Sequence, residues 1–406
     1  MTIRTMTDVE TMLQKRRRAG ISYDLSRIEA LMKAMNHPER RIRTVHIAGT
    51  NGKGSVAAFT GRILEKAGLV TGSFQSPVFG PLNHHVTIGE APLSEAVFLE
   101  AAQQFEALVQ ETEKQETLGM ISEFEWLTGM AFYVWAHVCP VDVAIVEAGM
   151  GGRLDSTNVM PAPLVTVITN VGYDHQAFLG DSLEAIAAEK AGIIKDGVPC
   201  VTSAGEPALS VIRKRGKETG SAIFPVRGPE EPIPLAMKGA HQQVNAAVSM
   251  KAAALVLDAF GKGMDQAAMQ ASIRSLQVPG RFEEIRQKPT VIVDTAHNVE
   301  AIRTTVANIR ALYASKEVSV LFAAMQDKPV SAMLDVLTEA GLNPVVTDFL
   351  HPRALKQDAY PKPYECAPEA GAWASRWLSE AEDQEVLLIT GSHQFIGDMR
   401  AFVTKC

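Results

Sequence analysis

A glycine-rich segment between an apolar run and a helical pattern carries the clearest chemistry in the sequence. Its members are Gly49, Thr50, Asn51, Gly52, Lys53, Gly54 and Ser55. Glycines let backbone N–H groups converge on a phosphate, and the following helix adds its positive N-terminal end. Lys53 can reach the β- and γ-phosphates, and Ser55 or Thr50 can supply a hydroxyl. The segment therefore predicts a nucleotide-phosphate site rather than a plain glycine-rich turn.

This segment alone does not define the reaction. Gly54 separates the lysine from the serine, so the string differs from the usual G-x-x-x-x-G-K-[ST] motif. The Asn-Lys-x-Asp string with which a GTPase reads its base does not occur in the sequence. This segment is therefore also compatible with a small-molecule kinase.

Polar residues near the ends of two further apolar runs indicate a metal site. Glu147 closes the run VDVAIV, and His175 with Asp174 follows the run LVTVITN. Ligands of open α/β sheets bind beyond the carboxyl ends of the strands, where a carboxylate can hold Mg²⁺ beside a nucleotide. Lys190 lies late in the helical pattern that follows His175. Taken singly, His175 is typical of a loop histidine, and Lys190 is typical of a solvated helix face. Together with the phosphate segment, they predict one shared site.

The elements that must position these residues alternate between strands and helices. Strand-like runs rich in β-branched residues lie at 43–48, 141–146 and 164–169. Helical patterns lie at 55–67, 122–137, 182–191 and 245–260. Such alternation predicts an α/β fold with a parallel sheet.

Two proline-rich or glycine-containing breaks divide the chain. Residues 225–234 form a proline-rich loop, and 277–280 read Gln-Val-Pro-Gly. Strand-like runs then resume at 290–293, 318–323, 344–347 and 386–389. We therefore predict two domains, 1–278 and 279–406, the second of a size usual for a small doubly wound sheet.

Composition excludes several classes of protein. The 406 residues include 39 Lys and Arg against 46 Asp and Glu, a net charge of −7, which argues against non-specific nucleic-acid binding. The four cysteines, Cys406 among them, show no C-x-x-C spacing, so neither a zinc site nor a disulfide framework is indicated. An apolar run long enough for a membrane span or a signal peptide is absent from the sequence, so we expect a cytoplasmic protein without a membrane partner.

Seven ordered blocks resemble the Mur ligase superfamily and, within it, the folylpolyglutamate synthase/dihydrofolate synthase family. They are GTNGKGS at 49–55, EAGMGGRLDSTN at 147–158, DH at 174–175, LGDSLEAIAAEKAGI at 179–193, HQQVNA at 241–246, PGRFE at 279–283 and DTAHN at 294–298. The resemblance covers nearly the whole chain. It implies an α/β, P-loop-containing central ATPase domain with a folate-binding region, followed by a smaller doubly wound, Rossmann-like glutamate-ligase domain.

The resemblance also implies an activity, namely that of an ATP-dependent ligase. Such an enzyme adds L-glutamate to the γ-carboxylate of reduced folates through an acyl phosphate, and some members also convert dihydropteroate to dihydrofolate. The implied partners are small molecules: folate or dihydropteroate, L-glutamate, ATP and Mg²⁺. We expect a monomer that binds no nucleic acid.

Carried over by position, the resemblance assigns the phosphate and metal ligands. Lys53 and the backbone of its loop hold the ATP phosphates. Ser76 and Glu147 match the ligands of a first Mg²⁺, and His175 matches the ligand of a second. Lys190 matches a lysine that is carbamylated in the family, which would turn an ammonium into an anionic oxygen ligand.

Four further residues match positions that contact ATP or glutamate in the family. Asn245 matches the asparagine that contacts adenine. Arg281 and Asp294 match residues that close over the nucleotide. His297 matches a histidine near the phosphate and the incoming glutamate. Lys53, Lys190 and His297 form the expected catalytic set.

The sequence departs from the family pattern on the substrate side. The usual Ser-Pro-His-Leu is Ser-Pro-Val-Phe at 76–79, and the usual Phe-Asn-Glu-Arg-Ile is Leu-Asn-His-His-Val at 82–86. The usual Asp-Gly-Ala-His-Asn-Pro is Asp-Thr-Ala-His-Asn-Val at 294–299. His84 and His85 are either ordinary surface residues or substitutes for the lost Glu-Arg pair. Two alternatives follow: a Mur-type amide ligase for another carboxylate, or a nucleotide-binding homologue without ligase activity.

Overall fold

The computed structural model describes residues 3–20, 24–114, 119–361 and 363–405, so Cys406 lies outside the described residues. The chain separates into two compact units, each built on its own sheet. The larger unit comprises Met1–Pro234 and Val244–Arg274. The smaller unit comprises Leu235–Gln243 and Ser275–Cys406.

The larger unit contains an eight-stranded sheet. Its strands are β1 (Thr44–Ala48), β2 (Thr71–Phe74), β3 (Val86–Ile88), β4 (Ala91–Pro92), β5 (Val143–Glu147), β6 (Val165–Ile168), β7 (Cys200–Thr202) and β8 (Ile223–Pro225). The strand order is β4-β3-β2-β5-β1-β6-β7-β8. From β2 to β8 in that order, every neighbouring pair is parallel, and β3 and β4 add an antiparallel edge. The predicted strands at 43–48, 141–146 and 164–169 are confirmed.

Central strands of this sheet are buried along their whole length. Every residue of β1, β5 and β6 is buried, as expected for parallel strands that helices cover on both faces. The helices are α1 (Met6–Arg16), α2 (Ser26–Ala34), α3 (Lys53–Lys66), α4 (Glu95–Glu113), α5 (Glu123–Tyr133), α6 (Gln176–Leu179), α7 (Leu183–Ala191), α8 (Ala208–Glu218), α9 (Ala240–Ala259) and α10 (Gln266–Ile273). None of the helices among the described residues is both long and apolar enough to cross a bilayer.

Two of these helices begin where the sequence places a capping residue. The Ser122 side chain accepts a hydrogen bond from Glu125 N, and the Glu125 side chain accepts one from the Ser122 amide. Ser182 likewise accepts from Ala185 N at the start of α7. Ala187, Ala191 and the following Ile193 then pack in a buried cluster, which fixes the end of α7 against the sheet.

The smaller unit contains a five-stranded sheet of order β12-β11-β13-β10-β9. Its strands are β9 (Glu283–Gln287), β10 (Thr290–Asp294), β11 (Val318–Phe322), β12 (Pro344–Val346) and β13 (Val386–Thr390). All neighbours are parallel except β9, which is antiparallel to β10. Its helices are α11 (Val299–Leu312), α12 (Val330–Glu339), α13 (Ala370–Glu380) and α14 (His393–Val403). The predicted doubly wound sheet is confirmed.

Some element boundaries differ from the prediction. The helix expected at 122–137 ends at Tyr133 and continues as a π-helical turn, Val134–Val138. The helix expected from 245 begins at Ala240. The loop expected from 225 begins one residue later, because Pro225 pairs with Thr202 at the end of β8.

Candidate nucleotide and ligase site

The strand order brings the predicted phosphate and metal residues of the larger unit to one edge of its sheet. Strands β2, β5, β1 and β6 are consecutive and parallel, so their carboxyl ends share that edge. Ser76 lies two residues beyond β2, and Glu147 is the last residue of β5. The phosphate loop, residues 49–55, follows β1, and His175 lies on the segment after β6. This edge is where ligands of open α/β sheets bind.

The phosphate loop leads directly into α3. Gly52 has a left-handed φ of +85° and precedes the first residue of the helix. The first helical bond runs from Val56 N to Gly52 O, 2.9 Å, which leaves the amides of residues 53–55 without a partner inside the helix. Those amides and the helix dipole make an anion site. A Cβ at Gly52 would lie 2.6 Å from Asn245 Oδ1, so Asn245 lies directly against the loop.

Lys53 folds back over its own loop. Its Nζ donates hydrogen bonds to Gly49 O at 3.2 Å and to Thr50 O at 3.4 Å. The same Nζ lies 3.9 Å from Glu147 Oε1. Both side chains are largely buried, at 17% and 7% exposure for Lys53 and Glu147. A lysine for phosphate and a carboxylate for a cation therefore stand beside each other at the start of α3.

Lys190 is buried at the end of α7, where its residual exposure is 3%. Burial, reinforced by the positive charge of Lys53, lowers the pKa of Lys190 to about 7, although Asp174 and Asp155 oppose the shift. A substantial share of its amine is therefore neutral and nucleophilic near pH 7.

The loop after Glu147 packs on the end of the helix that carries Lys190. Arg153 N donates to Glu189 O at 2.8 Å, and Asn158 Nδ2 donates to Gly192 O at 3.2 Å. A Cβ at Gly152 would lie 2.9 Å from Lys190 O, so this close approach requires glycine. The block EAGMGGRLDSTN and the block around Lys190 thus form one packed structure.

His175 occupies a left-handed position, φ 52°, immediately before α6. Its amide donates to Asp174 Oδ1 at 2.9 Å, and its side chain is 36% exposed. No group of three His, Cys, Asp or Glu side chains with metal-ligand geometry occurs within the described parts of the chain. The predicted set for Mg²⁺ is instead the carboxylate of Glu147, the hydroxyl of Ser76 and the imidazole of His175 at a shared sheet edge, together with Lys190 if it is carbamylated. Oxygen donors beside a phosphate site fit Mg²⁺, which keeps several waters and takes few protein ligands.

The divergent substrate loop is braced by its two histidines. His84 Nδ1 lies 3.0 Å from Phe79 O, and His85 Nδ1 lies 2.7 Å from Gln75 O. Because a carbonyl only accepts, both Nδ1 atoms carry the proton. Burial lowers the pKa of His85, which favours its neutral form. The pair therefore holds the loop through its backbone, with neutral His85 at a position where the family has a charged residue.

Three predicted residues meet in the smaller unit. Asp294 ends β10 and accepts hydrogen bonds from Phe282 N and Ala296 N, each at 2.8 Å. Arg281 Nη1 donates to Thr295 Oγ1 at 2.5 Å. His297 Nδ1 lies 2.8 Å from Thr295 O and so carries a proton. Burial raises the pKa of Asp294. The two blocks PGRFE and DTAHN are thus joined through backbone and side chain.

No motif in the sequence marks Asp155 as a site residue. Its Oδ2 accepts from Met150 N at 2.8 Å, and its Oδ1 accepts from Thr157 Oγ1 at 2.6 Å. Thr157 Oγ1 in turn lies 2.8 Å from Nε2 of the buried His46. The only signal in the sequence was its place in the block that begins at Glu147. Thr169 and Asn170, which hold the phosphate loop, carried no such signal.

The fold and the site define a class of protein. A mostly parallel sheet bearing a phosphate loop, with a smaller doubly wound unit later in the chain, is the organisation of a Mur-type ligase. Residues 280–393 match the family model described as Mur ligase, glutamate ligase domain.

Curated relatives and solved structures narrow this class. The chain is 34% identical to the dihydrofolate synthase/folylpolyglutamate synthase of Bacillus subtilis over 97% of this chain and 98% of the relative. It is 31% identical to the folylpolyglutamate synthase of Lacticaseibacillus casei over 91% and 92% of the two chains. The folylpolyglutamate synthase of Mycobacterium tuberculosis, solved with ADP and AMPPCP, superimposes with a TM-score of 0.87 at 28% identity over 98% of this chain and 97% of that one. The chain belongs to the dihydrofolate synthase/folylpolyglutamate synthase family, as its seven sequence blocks predicted.

Proposed function

We propose that this protein is an ATP-dependent ligase that joins L-glutamate to the γ-carboxylate of reduced folates, and that dihydropteroate is a further acceptor to be tested. The observation that carries the proposal is the sheet edge of the larger unit, where the phosphate loop, Lys53 and Glu147 lie together. The names of the relatives indicate a folate as the acceptor. The match to the glutamate ligase domain indicates glutamate as the amine.

The reaction needs activation because a carboxylate is anionic and oxide is a poor leaving group. In the first step, a carboxylate oxygen of the acceptor bonds to the γ-phosphorus of ATP, and the bond from that phosphorus to ADP breaks. In the second step, the amine of glutamate bonds to the acyl carbon, phosphate leaves and the amine loses a proton. Catalysis of such transfers is mainly positioning and charge stabilisation.

We assign the nucleotide contacts to the larger unit, at the phosphate loop. The amides of residues 53–55 and the ammonium of Lys53 face the β- and γ-phosphates, and Asn245 contacts the adenine. Thr50 Oγ1 already donates a hydrogen bond to the carbonyl of Gly172 at 3.1 Å. Ser55 is therefore the better source of a hydroxyl for the nucleotide or its metal.

Glu147 and Ser76 would hold the first Mg²⁺, and His175 would contribute to a second. Mg²⁺ supplies neutralisation of charge on the transferring phosphoryl group. Lys190 is assigned as the carbamylated lysine: its neutral amine adds to CO₂, a proton leaves, and an anionic carbamate results. Its lowered pKa supports this assignment, since only the neutral amine reacts.

The remaining assignments concern the smaller unit and the domain limits. Arg281 and Asp294 would contact the nucleotide, and His297 would lie near the transferred phosphate and the incoming glutamate. We propose 1–278 as the ATP-binding domain and 279–406 as the glutamate-ligase domain. A monomeric state and a cytoplasmic location stay predictions from the sequence.

A second candidate function is amide ligation to another carboxylate acceptor. It is favoured by the loop at 76–86, whose histidines bind backbone carbonyls where the family carries a Glu-Arg pair. A loop without the Glu-Arg pair has lost the bidentate anion binder that arginine provides.

Phosphate release measured across an acceptor panel separates these functions. Purified protein with Mg²⁺ and ATP is given dihydropteroate, reduced monoglutamyl and polyglutamyl folates, or unrelated carboxylates, each with and without L-glutamate. Release that requires both a folate-type acceptor and glutamate, with a glutamylated product by mass spectrometry, supports the proposal. Turnover with a different carboxylate only supports the second candidate, and ADP binding without turnover on any acceptor indicates a homologue without ligase activity.

A further inference from the structure

The parallel pairing of β1 and β6 continues past the ends of both strands. Thr169 N donates to Ala48 O at 2.9 Å, and Thr50 N donates to Asn170 O at 3.0 Å. The first residues of the phosphate loop therefore belong to a backbone ladder with the segment that follows β6. This attachment involves the main chain and does not depend on loop side chains.

Side chains of that segment hold the next loop residue on both sides. Asn170 Oδ1 accepts a hydrogen bond from Asn51 N at 2.7 Å. Thr169 Oγ1 donates to Asn51 O at 2.6 Å. The backbone donor and the backbone acceptor of Asn51 thus both have partners within the protein. The amide of Asn51 therefore donates to Asn170 within the protein.

A third link joins the same two segments. Thr50 Oγ1 donates to Gly172 O at 3.1 Å and accepts from Gly172 N at 3.0 Å. A Cβ at Gly49 would collide with Thr169 Oγ1, so the segments are in close contact there as well. Thr169, Asn170 and Gly172 thus contact residues 49–51.

We propose that Asn170 is a positioning residue for nucleotide binding. Its carbonyl and its side chain fix Thr50 and Asn51, so that the loop already has the conformation in which the amides of residues 53–55 face a phosphate. The loop then needs no ordering when the nucleotide binds, and preorganisation of this kind appears as affinity. The proposal rests on the proposed function, and concerns only its nucleotide-binding step.

Direct binding of ADP with Mg²⁺, measured by calorimetry on the full chain, tests this assignment without requiring turnover. Asn170→Ala leaves the Asn51 amide without its Oδ1 acceptor, and we expect about tenfold weaker ADP binding, as for loss of one partly buried hydrogen-bond partner. Gln103→Ala is the matched control, since it also removes a side-chain amide that is hydrogen-bonded to the backbone: Gln103, on α4, donates to Ile3 O at 3.0 Å. We expect the control to keep the wild-type affinity within about twofold.

A second pair of variants covers the case in which Asn170→Ala fails to fold. Thr169→Ser keeps the hydroxyl that donates to Asn51 O, whereas Thr169→Ala removes it. We expect the serine variant to bind ADP within about twofold of wild type and the alanine variant to bind several-fold more weakly, about threefold or more. A general loss of strand stability would not explain why the serine variant binds ADP normally while the alanine variant binds it more weakly.

Two results would overturn the proposal, and they are distinguishable. If wild type binds ADP and the folded Asn170→Ala variant binds it equally well, Asn170 has only a structural role, whatever its effect on the melting temperature. Equal affinities for Thr169→Ser and Thr169→Ala would contradict it in the same way. If wild type itself does not bind ADP with Mg²⁺, the proposed function fails and this inference fails with it.

Discussion

Two lysines at the sheet edge show how local burial decides the chemistry of one residue type. Lys53 keeps 17% exposure and donates to carbonyls of its own loop. Lys190 has 3% exposure, and its pKa is lowered to about 7 by burial and then by Lys53. One lysine is therefore suited to contact phosphate as a cation, and the other to react as a neutral amine.

We expect Lys53→Ala to reduce ligation by about a thousandfold or more while the fold is retained, because the variant removes the cation beside the phosphoryl group. Phosphate release with folate and glutamate measures the loss, and thermal unfolding checks the fold. Lys66→Ala is the control, since Lys66 is an exposed residue of the last turn of the same helix. Near-normal turnover of Lys53→Ala would refute the phosphate assignment.

His46 predicts a pH dependence of stability. Complete burial lowers its pKa from 6.5 to about 3, with Lys195 adding to the shift. Between those two values the unfolded chain binds a proton that the native protein does not, so stability is full above about pH 6.5 and falls as the pH drops towards 3. The slope from this one residue is at most about 1.4 kcal/mol per pH unit.

Urea unfolding from pH 6.5 to 4 of wild type and His46→Gln measures this slope. We expect a shallower loss of stability in the variant, because its side chain does not titrate. His137→Gln, which replaces an exposed histidine, serves as control and should keep the wild-type slope. Identical slopes for wild type and His46→Gln would show that His46 is not held neutral.

At the scale of elements, the turn from β1 into α3 depends on glycine for two separate reasons. Gly52 has φ +85°, and a Cβ there would lie 2.6 Å from Asn245 Oδ1. Gly68, which follows the end of α3, has φ +80° but its nearest neighbour would be Lys262 Nζ at 3.9 Å. A side chain at either position would have to adopt an unfavourable left-handed backbone conformation. Only at Gly52 would its Cβ also clash with a neighbouring side chain.

We therefore expect Gly52→Ala and Gly68→Ala to differ in ADP binding more than in stability. Each substitution places a Cβ at a left-handed φ, which costs about 1–2 kcal/mol of stability. Only Gly52→Ala also displaces Asn245 and the loop, so only it should weaken ADP binding, by about tenfold or more. Calorimetry and thermal unfolding of both variants check this, and equal ADP affinities would argue against a phosphate site at Gly52.

Elements with strong local patterns were predictable, and short exposed ones were not. β1, β5 and β6 are continuous buried runs, which apolar residues alone reveal. The hairpin β3–β4 contains a two-residue exposed strand, and β8 ends on Pro225. Their pairing comes from neighbouring strands, a long-range effect that local composition does not encode.

At the scale of the whole molecule, a net charge of −7 coexists with ligands that are all anions. Under the proposed function, ATP, a folate carboxylate and glutamate would be met by local features: the start of α3 and Lys53 in the larger unit, and Arg281 with His297 in the smaller one. Overall charge describes the surface and does not exclude anion sites.

We expect His297→Ala to separate nucleotide binding from ligation. ADP affinity should stay within about twofold of wild type, while ligation falls by about a hundredfold, the usual effect of losing one polar group that contacts a reacting centre. Calorimetry with ADP and a glutamate-dependent phosphate assay test this. His351→Ala, a histidine of the same unit outside the predicted site, is the control, and normal ligation by His297→Ala would remove His297 from the catalytic set.

The sequence by itself determined the phosphate loop, the α/β class and the family, because each depends on residues adjacent in the chain or on ordered blocks along it. Only the tertiary structure decided which strands are neighbours, and hence that Ser76, Glu147, Lys53 and His175 share one edge. It also decided that Lys190 is buried and that Asn170 occupies the Asn51 amide. The physical reason is that burial and hydrogen-bond partners are set by residues more than a hundred positions apart, which no local pattern specifies.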